Sequence, residues 1–249
     1  MVTRSSDGSL GVIPYLMCGH PSREATLETL KRLSELPVAA IELGVPFSDP
    51  LADGPVIQKA GQAALAGGMT LKGALEIAAE ARDGVPLVLM TYVNPVLAYG
   101  PDRFVADATA ARVAGVIIPD LPVDEAGTLA DELRQAGLWT VFLAAPTSTP
   151  ERIARICAAS RGFVYCVTLT GITGMRAELP EGLPEFLDGV RAQAGQLPVA
   201  AGFGISRPEH IRALRGHADA AAVGSAIVRE MDEGRDPRPL VESLLEAAS

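Results

Sequence analysis

Residues 41–55 read Ile-Glu-Leu-Gly-Val-Pro-Phe-Ser-Asp-Pro-Leu-Ala-Asp-Gly-Pro and bring Glu42, Asp49 and Asp53 close together in the chain. Glu42 lies inside an apolar run that reads as a buried strand, where Val38, Ala40, Glu42 and Gly44 share one side. A buried, ionised carboxylate without a partner is costly, or it raises its own pKa. The structural explanation is an ion pair with a basic residue on a neighbouring strand, but the strand-like runs of this sequence hold no Arg or Lys. The chemical explanation is a general acid/base at the end of a strand. Asp49 and Asp53 follow in a loop, where an isolated Asp commonly forms turns. Their interest comes from lying at the same end of the strand as Glu42.

Eight short apolar runs, at 12–18, 38–45, 87–92, 115–121, 139–145, 163–169, 199–205 and 220–224, alternate with helical patterns. Near-continuous apolar strands of this kind belong to parallel sheets covered by helices. Ser22 is placed to cap a helix carrying Leu27, Leu30 and Leu33, and Thr149-Pro150-Glu151 reads as a helix start. Ser206 and Glu209 have capping-box spacing, and Gly137 follows a helix containing Leu129 and Leu133. No linker or low-complexity stretch divides the chain. The expectation is a single domain over 1–249, a (β/α)8 TIM barrel with short extra helices. An open doubly wound sheet is the alternative, although the Gly-x-Gly-x-x-Gly turn of a dinucleotide fold is missing after the first strand. In a barrel, the groups that do chemistry sit at the C-terminal ends of the strands.

Three glycine-rich stretches fall at that end: Thr170-Gly171-Ile172-Thr173-Gly174, Gly202-Phe203-Gly204-Ile205-Ser206 and Gly224-Ser225-Ala226-Ile227. Loops of this kind after the late strands, with a short helix N-terminus, hold phosphate through backbone N–H groups. Tyr15, Met90, Tyr92, Ile117, Phe142, Tyr165 and Phe203 lie on the strands. Any single one of them is ordinary barrel packing; together they suit a flat apolar ring attached to the phosphate. No His, Cys and Asp set has metal-ligand spacing, and no strand carries a Lys for a Schiff base.

A formal net charge of -9 argues against nucleic acid and against an anionic membrane surface as partners. No apolar run is long enough to span a bilayer. The polar first ten residues lack the apolar core of a secretory signal. Cys18, Cys157 and Cys166 form neither a disulfide framework nor a zinc site, so a cytoplasmic location is expected.

The stretch from Glu42 through Asp53 to Gln58 resembles the signature of the tryptophan synthase alpha subunit. The likeness continues at Thr91-Tyr92-Val93-Asn94-Pro95, Pro119-Asp120-Leu121-Pro122, Gly171–Gly174, Gly202–Ser206 and Val223–Ala226, and it spans the chain from about residue 11 onward. It implies cleavage of indole-3-glycerol phosphate to indole and glyceraldehyde 3-phosphate, a lyase step of tryptophan biosynthesis. By similarity, Glu42 is the general acid/base, Asp53 bonds the indole N–H, and Tyr165 assists near the reacting side chain. Thr173 matches a loop threonine that reaches Asp53, while Gly174, Gly204, Gly224 and Ser225 match a phosphate cradle. The resemblance implies no metal or organic cofactor on this chain, with pyridoxal phosphate on a beta partner in an αββα complex. Asp49, Pro50, Pro55 and Gln58 match the face toward that partner. Residues from about 170 to 183, with Gly171, Gly174 and Gly182, make a connection longer than an ordinary βα loop, which marks an active-site lid. His20 stands where an Asp is common, and Tyr15 where a Phe is common.

Overall fold

Each apolar run forms a strand of one parallel sheet: β1 (Gly11–Met17), β2 (Ile41–Gly44), β3 (Leu87–Met90), β4 (Gly115–Ile117), β5 (Trp139–Val141), β6 (Leu143–Ala144), β7 (Val164–Val167), β8 (Val199–Gly202) and β9 (Ala220–Val223). The computed structural model describes residues 2–3, 8–81, 84–168, 179–202 and 204–249. The hydrogen-bonded order is β5-β4-β3-β2-β1-β9-β8-β7-β6. Its two ends, β5 and β6, are pieces of the same expected fifth strand, separated by Phe142 alone. The sheet therefore returns on itself as a barrel, which removes the open-sheet alternative. Nine strands occupy eight barrel positions because the ladder breaks at Phe142. Its N–H turns to Ser160 Oγ at 3.4 Å, while its carbonyl accepts from the Tyr165 N–H at 3.1 Å. On either side of the break, β5 pairs with β4 and β6 with β7.

The helices are α1 (Arg23–Ser34), α2 (Pro55–Ala66), α3 (Leu71–Glu80), α4 (Val93–Tyr99), α5 (Pro101–Ala110), α6 (Gly127–Gln135), α7 (Pro150–Ala159), α8 (Leu183–Ala194), α9 (Pro208–Leu214), α10 (Ser225–Asp232) and α11 (Arg238–Ala248). Two of the caps expected from the sequence start their helices: Ser22 accepts from the Ala25 N–H and Thr149 from the Arg152 N–H. Gly137 follows α6 at φ 80°, a conformation that suits glycine. The expected capping box at Ser206 and Glu209 does not form. Arg207 is the N-cap of α9 without a side-chain bond, and the Ser206 N–H goes to His210 Nδ1 at 3.3 Å. β2, β3 and β9 are each followed by two helices, and the first of each pair (α2, α4 and α10) is the extra one expected at the barrel mouth.

Away from the mouth, the barrel shows what a purely structural buried carboxylate looks like. Asp219 is 2% exposed. It accepts from the Val199 N–H at 2.9 Å and from Arg191 at 2.9 Å, which ties α8 to the foot of β8. Both of its oxygens are occupied, as a buried charge requires.

Candidate functional site

β1 and β2 align so that Tyr15 faces Glu42, and Gly44 on β2 faces Met90 on β3. This register brings Tyr15, Glu42 and Met90 to one rim, and Tyr165 on β7 joins them across the barrel. With Asp53 and the loops after β8 and β9 they enclose a cavity of about 160 Å³. Two glycines make the walls possible. A Cβ on Gly44 would stand 1.9 Å from the Tyr15 hydroxyl, and one on Gly202 would stand 2.2 Å from the Tyr165 hydroxyl. Each tyrosine therefore lies over a neighbouring strand at a point where that strand has no side chain.

Glu42 is 1% exposed. Unlike Asp219, it has an oxygen, Oε1, with no hydrogen-bond partner among the described residues. Burial, and then the charge of Asp53, push its carboxyl from 4.5 up to about 8. Asp53 is half-buried on the loop between β2 and α2. Burial raises it to about 6, against the pull of a hydrogen bond from the Tyr92 hydroxyl, which favours the ionised form. Near neutral pH the pair thus divides, with Glu42 holding a proton and Asp53 largely charged. Burial, with Asp53 and Glu42 nearby, also keeps the Tyr15 and Tyr165 hydroxyls protonated.

The position of Asp53 is built by its neighbours. Its N–H bonds the Pro50 carbonyl at 3.1 Å, and the Tyr92 hydroxyl accepts from the Ala52 N–H at 3.2 Å. Gln58, one turn into α2, donates from Nε2 to the Asp53 carbonyl at 2.9 Å. Tyr92, expected as a pocket wall, stands instead behind Asp53, with its ring 5.2 Å from that of Phe47. Gln58, expected at a partner surface, spends its amide inside its own loop. Pro55 is exposed, yet with Ile57 it also borders the cavity. Farther out, Asp49 is exposed and accepts from Ser48, Pro50 is half-buried, and Leu51 is 91% exposed.

At the opposite side, Gly204 (φ 78°), Gly224 and Ser225 border the cavity where α10 begins. Backbone N–H groups at a helix start suit an anion. The far end of α10 is fastened to α2 by Asp232, which accepts from Lys59 at 2.9 Å and lies 3.0 Å from His20 Nε2. Ile117 and Phe142 belong to packing: Ile117 is fully buried, and Phe142 lies against α6. Thr173, Gly174, Phe203 and the expected lid up to residue 178 lie outside the described residues. The sequence did not single out Arg229, and it offered the side chain of Ser206 only as a helix cap; both line the cavity. The one signal for Arg229 was its spacing, one helical turn after Ser225. Among the described residues, no group of three or more His, Cys, Asp or Glu is placed to hold a metal ion, and no helix is long and apolar enough to cross a membrane.

Comparison with known proteins gives a consistent picture. A family model described as "Tryptophan synthase alpha chain" matches residues 2–248. A tryptophan synthase alpha chain from Solibacter usitatus is 47% identical over 231 residues, covering 92% of this chain and 86% of its own. One from Acidiphilium cryptum is 43% identical over 248 residues, covering 96% and 90%. Among solved structures, tryptophan synthase from Mycobacterium tuberculosis matches with a TM-score of 0.87 at 38% identity, covering 97% of this chain and 92% of that one. The tryptophan synthase a2b2 complex from Pyrococcus furiosus matches with a TM-score of 0.86 at 40% identity, covering 99% and 97%.

Proposed function

This chain belongs to the tryptophan synthase alpha chain family, and on that premise we propose how its cavity carries out the family's reaction, the cleavage of indole-3-glycerol phosphate to indole and glyceraldehyde 3-phosphate. The observation that carries the assignment is the contrast between the two buried carboxylates. Asp219 is fully paired, whereas Glu42 keeps an unpartnered oxygen and borders the cavity.

Protonated Glu42 gives its proton to C3 of the indole, which becomes an indolenine cation. Ionised Asp53 accepts a hydrogen bond from the ring N–H and balances that cation. The Glu42 carboxylate then takes the proton of the hydroxyl on the carbon attached to C3. That C–O bond becomes a carbonyl, the C–C bond breaks, and its electron pair restores the neutral indole. Glu42 ends protonated, as it began, having given its own proton to C3 and taken that of the hydroxyl. A carboxyl raised to about 8 suits both halves of the cycle. Tyr165 stands across the cavity as a neutral hydroxyl near the reacting side chain. Tyr15 and Met90 form walls for the ring, while Tyr92 holds Asp53. Gly204, Gly224 and Ser225 receive the phosphate.

This chemistry moves only protons on this chain and calls on no metal or organic cofactor; pyridoxal phosphate belongs to the beta partner. The proposed setting is the cytoplasm. The partner is a tryptophan synthase beta subunit, met through the exposed face of the loop after β2, at Asp49, Pro50 and Pro55 with Leu51 at its tip. Gln58 contributes by keeping that loop in shape. Indole release from indole-3-glycerol phosphate, measured with and without a beta subunit, tests the proposal. No release in either condition refutes it, and no complex on size-exclusion chromatography refutes the assigned partner.

A further inference from the structure

The proposed phosphate seat rests so far on backbone amides, and the cavity holds two side chains that the reaction leaves unused. Ser206 is a wall residue on the loop after β8. Its hydroxyl oxygen is shielded from water and has no partner among the described residues. Its N–H is fixed to His210 Nδ1, so the main chain is held while the hydroxyl stays unengaged. A buried hydroxyl without a partner is destabilising, and a ligand oxygen would relieve that cost. Arg229 is the other. It lies on α10 four residues after Ser225, hence on the same helix face. Helical side chains lean toward the N-terminus, the end of α10 where Gly224 and Ser225 lie. Arg229 is also the one cation among the described residues lining the cavity, whose walls otherwise carry the carboxyls of Glu42 and Asp53.

A phosphomonoester entering this cavity meets a negative field from Asp53, and Arg229 is placed to offset it. Building on the proposed function, we infer that Ser206 and Arg229 are the side-chain ligands of the substrate's phosphate, adding a hydroxyl donor and a guanidinium fork to the amides of Gly204, Gly224 and Ser225. An arginine fork matches phosphate oxygens two at a time and distinguishes a phosphate ester from an uncharged analogue.

The test compares wild type, Ser206→Ala, Arg229→Gln and Arg229→Lys. It reads KM for indole-3-glycerol phosphate, inhibition by glycerol 3-phosphate, and inhibition by indole, which has no phosphate. Arg229→Gln should weaken both phosphate-bearing compounds by roughly tenfold or more, chiefly in KM, with only part of the loss recovered in Arg229→Lys, which keeps the charge without the fork. Ser206→Ala should weaken them by about threefold to tenfold. Inhibition by indole should stay within about twofold in every variant. Wild-type affinity for glycerol 3-phosphate in either Ser206→Ala or Arg229→Gln overturns the assignment of that residue. An equal loss of indole binding points to a collapsed wall and overturns it as well. A wild-type protein that cleaves no substrate refutes the proposed function instead. In that case, thermal stabilisation by glycerol 3-phosphate, compared across the same variants, still decides the phosphate contacts.

Discussion

Replacing Glu42 with Gln separates the role of this carboxyl in catalysis from its cost to the fold. The side chain keeps nearly the same volume and loses only the titration. In the folded chain the Glu42 carboxyl lies at about 8, against 4.5 for a solvated Glu. The unfolded chain therefore releases this proton first as pH rises, and the folded chain loses stability across the interval between the two values. Below about pH 4.5 both states are protonated, and Glu42 carries no such penalty. A displacement of this size corresponds to about 5 kcal/mol above pH 8 and to about 3 kcal/mol at pH 7, at about 1.4 kcal/mol per unit. Urea unfolding of wild type and Glu42→Gln between about pH 4 and pH 9 measures this directly. The variant should match wild type or fall slightly below it at the acid end, then gain steadily on it up to about pH 8. Turnover should fall by about 10² to 10⁴ in the same folded variant. A stability difference that stays flat with pH would refute the buried, unpartnered carboxyl, and near wild-type turnover would refute its chemical role.

The remaining predictions concern the groups around Glu42. Asp53→Asn keeps the shape of the loop and removes the charge that balances the indolenine cation; turnover should drop by about 10² to 10³, and a loss below about tenfold would make Asp53 a loop-former only. Tyr92→Phe removes the hydrogen bond that holds the Asp53 carboxyl down, so the acid limb of the pH–rate profile should move to higher pH; an unmoved limb contradicts the contact. Gly44→Ala puts a Cβ where the Tyr15 hydroxyl lies; it should cost about 1–3 kcal/mol in thermal or urea unfolding and raise KM, and a variant with unchanged stability and KM would show that the Tyr15 wall is not fixed there.

The parts of this molecule that follow from local pattern were legible in the sequence. The period of two in β2 placed Glu42 and Gly44 on the inner side, and the apolar runs gave the barrel. Ser22 and Thr149 announced their helices because a cap is decided within a few residues. Part of what stayed hidden depends on residues far apart in sequence. Tyr92 holds the Asp53 loop at Ala52, forty positions away, and no spacing rule links a strand-end tyrosine to the preceding loop. Gln58 looked like surface because its partner, the Asp53 carbonyl, is a main-chain atom that any sequence offers. The break at Phe142 depends on a hydroxyl from Ser160, past the following helix. The failed cap at Ser206 was a contest between two local motifs, won by the ring of His210.

The seam between β1 and β9 joins nearly opposite ends of the chain: Gly11 pairs with Ala220 and Pro14 with Val223. Helix α11 packs against β1 beside it, and the Leu10 N–H bonds the Ala248 carbonyl at 2.9 Å. Closing a loop this long adds little entropy cost, because that cost grows only with the logarithm of length. The geometry therefore treats this junction like any other pair of neighbouring strands, and the ring has no intrinsic first strand. A circular permutant that links residue 248 to residue 10 by a few flexible residues, with new termini at the exposed turn near Gly137, would present the same cavity from a chain read in a different order.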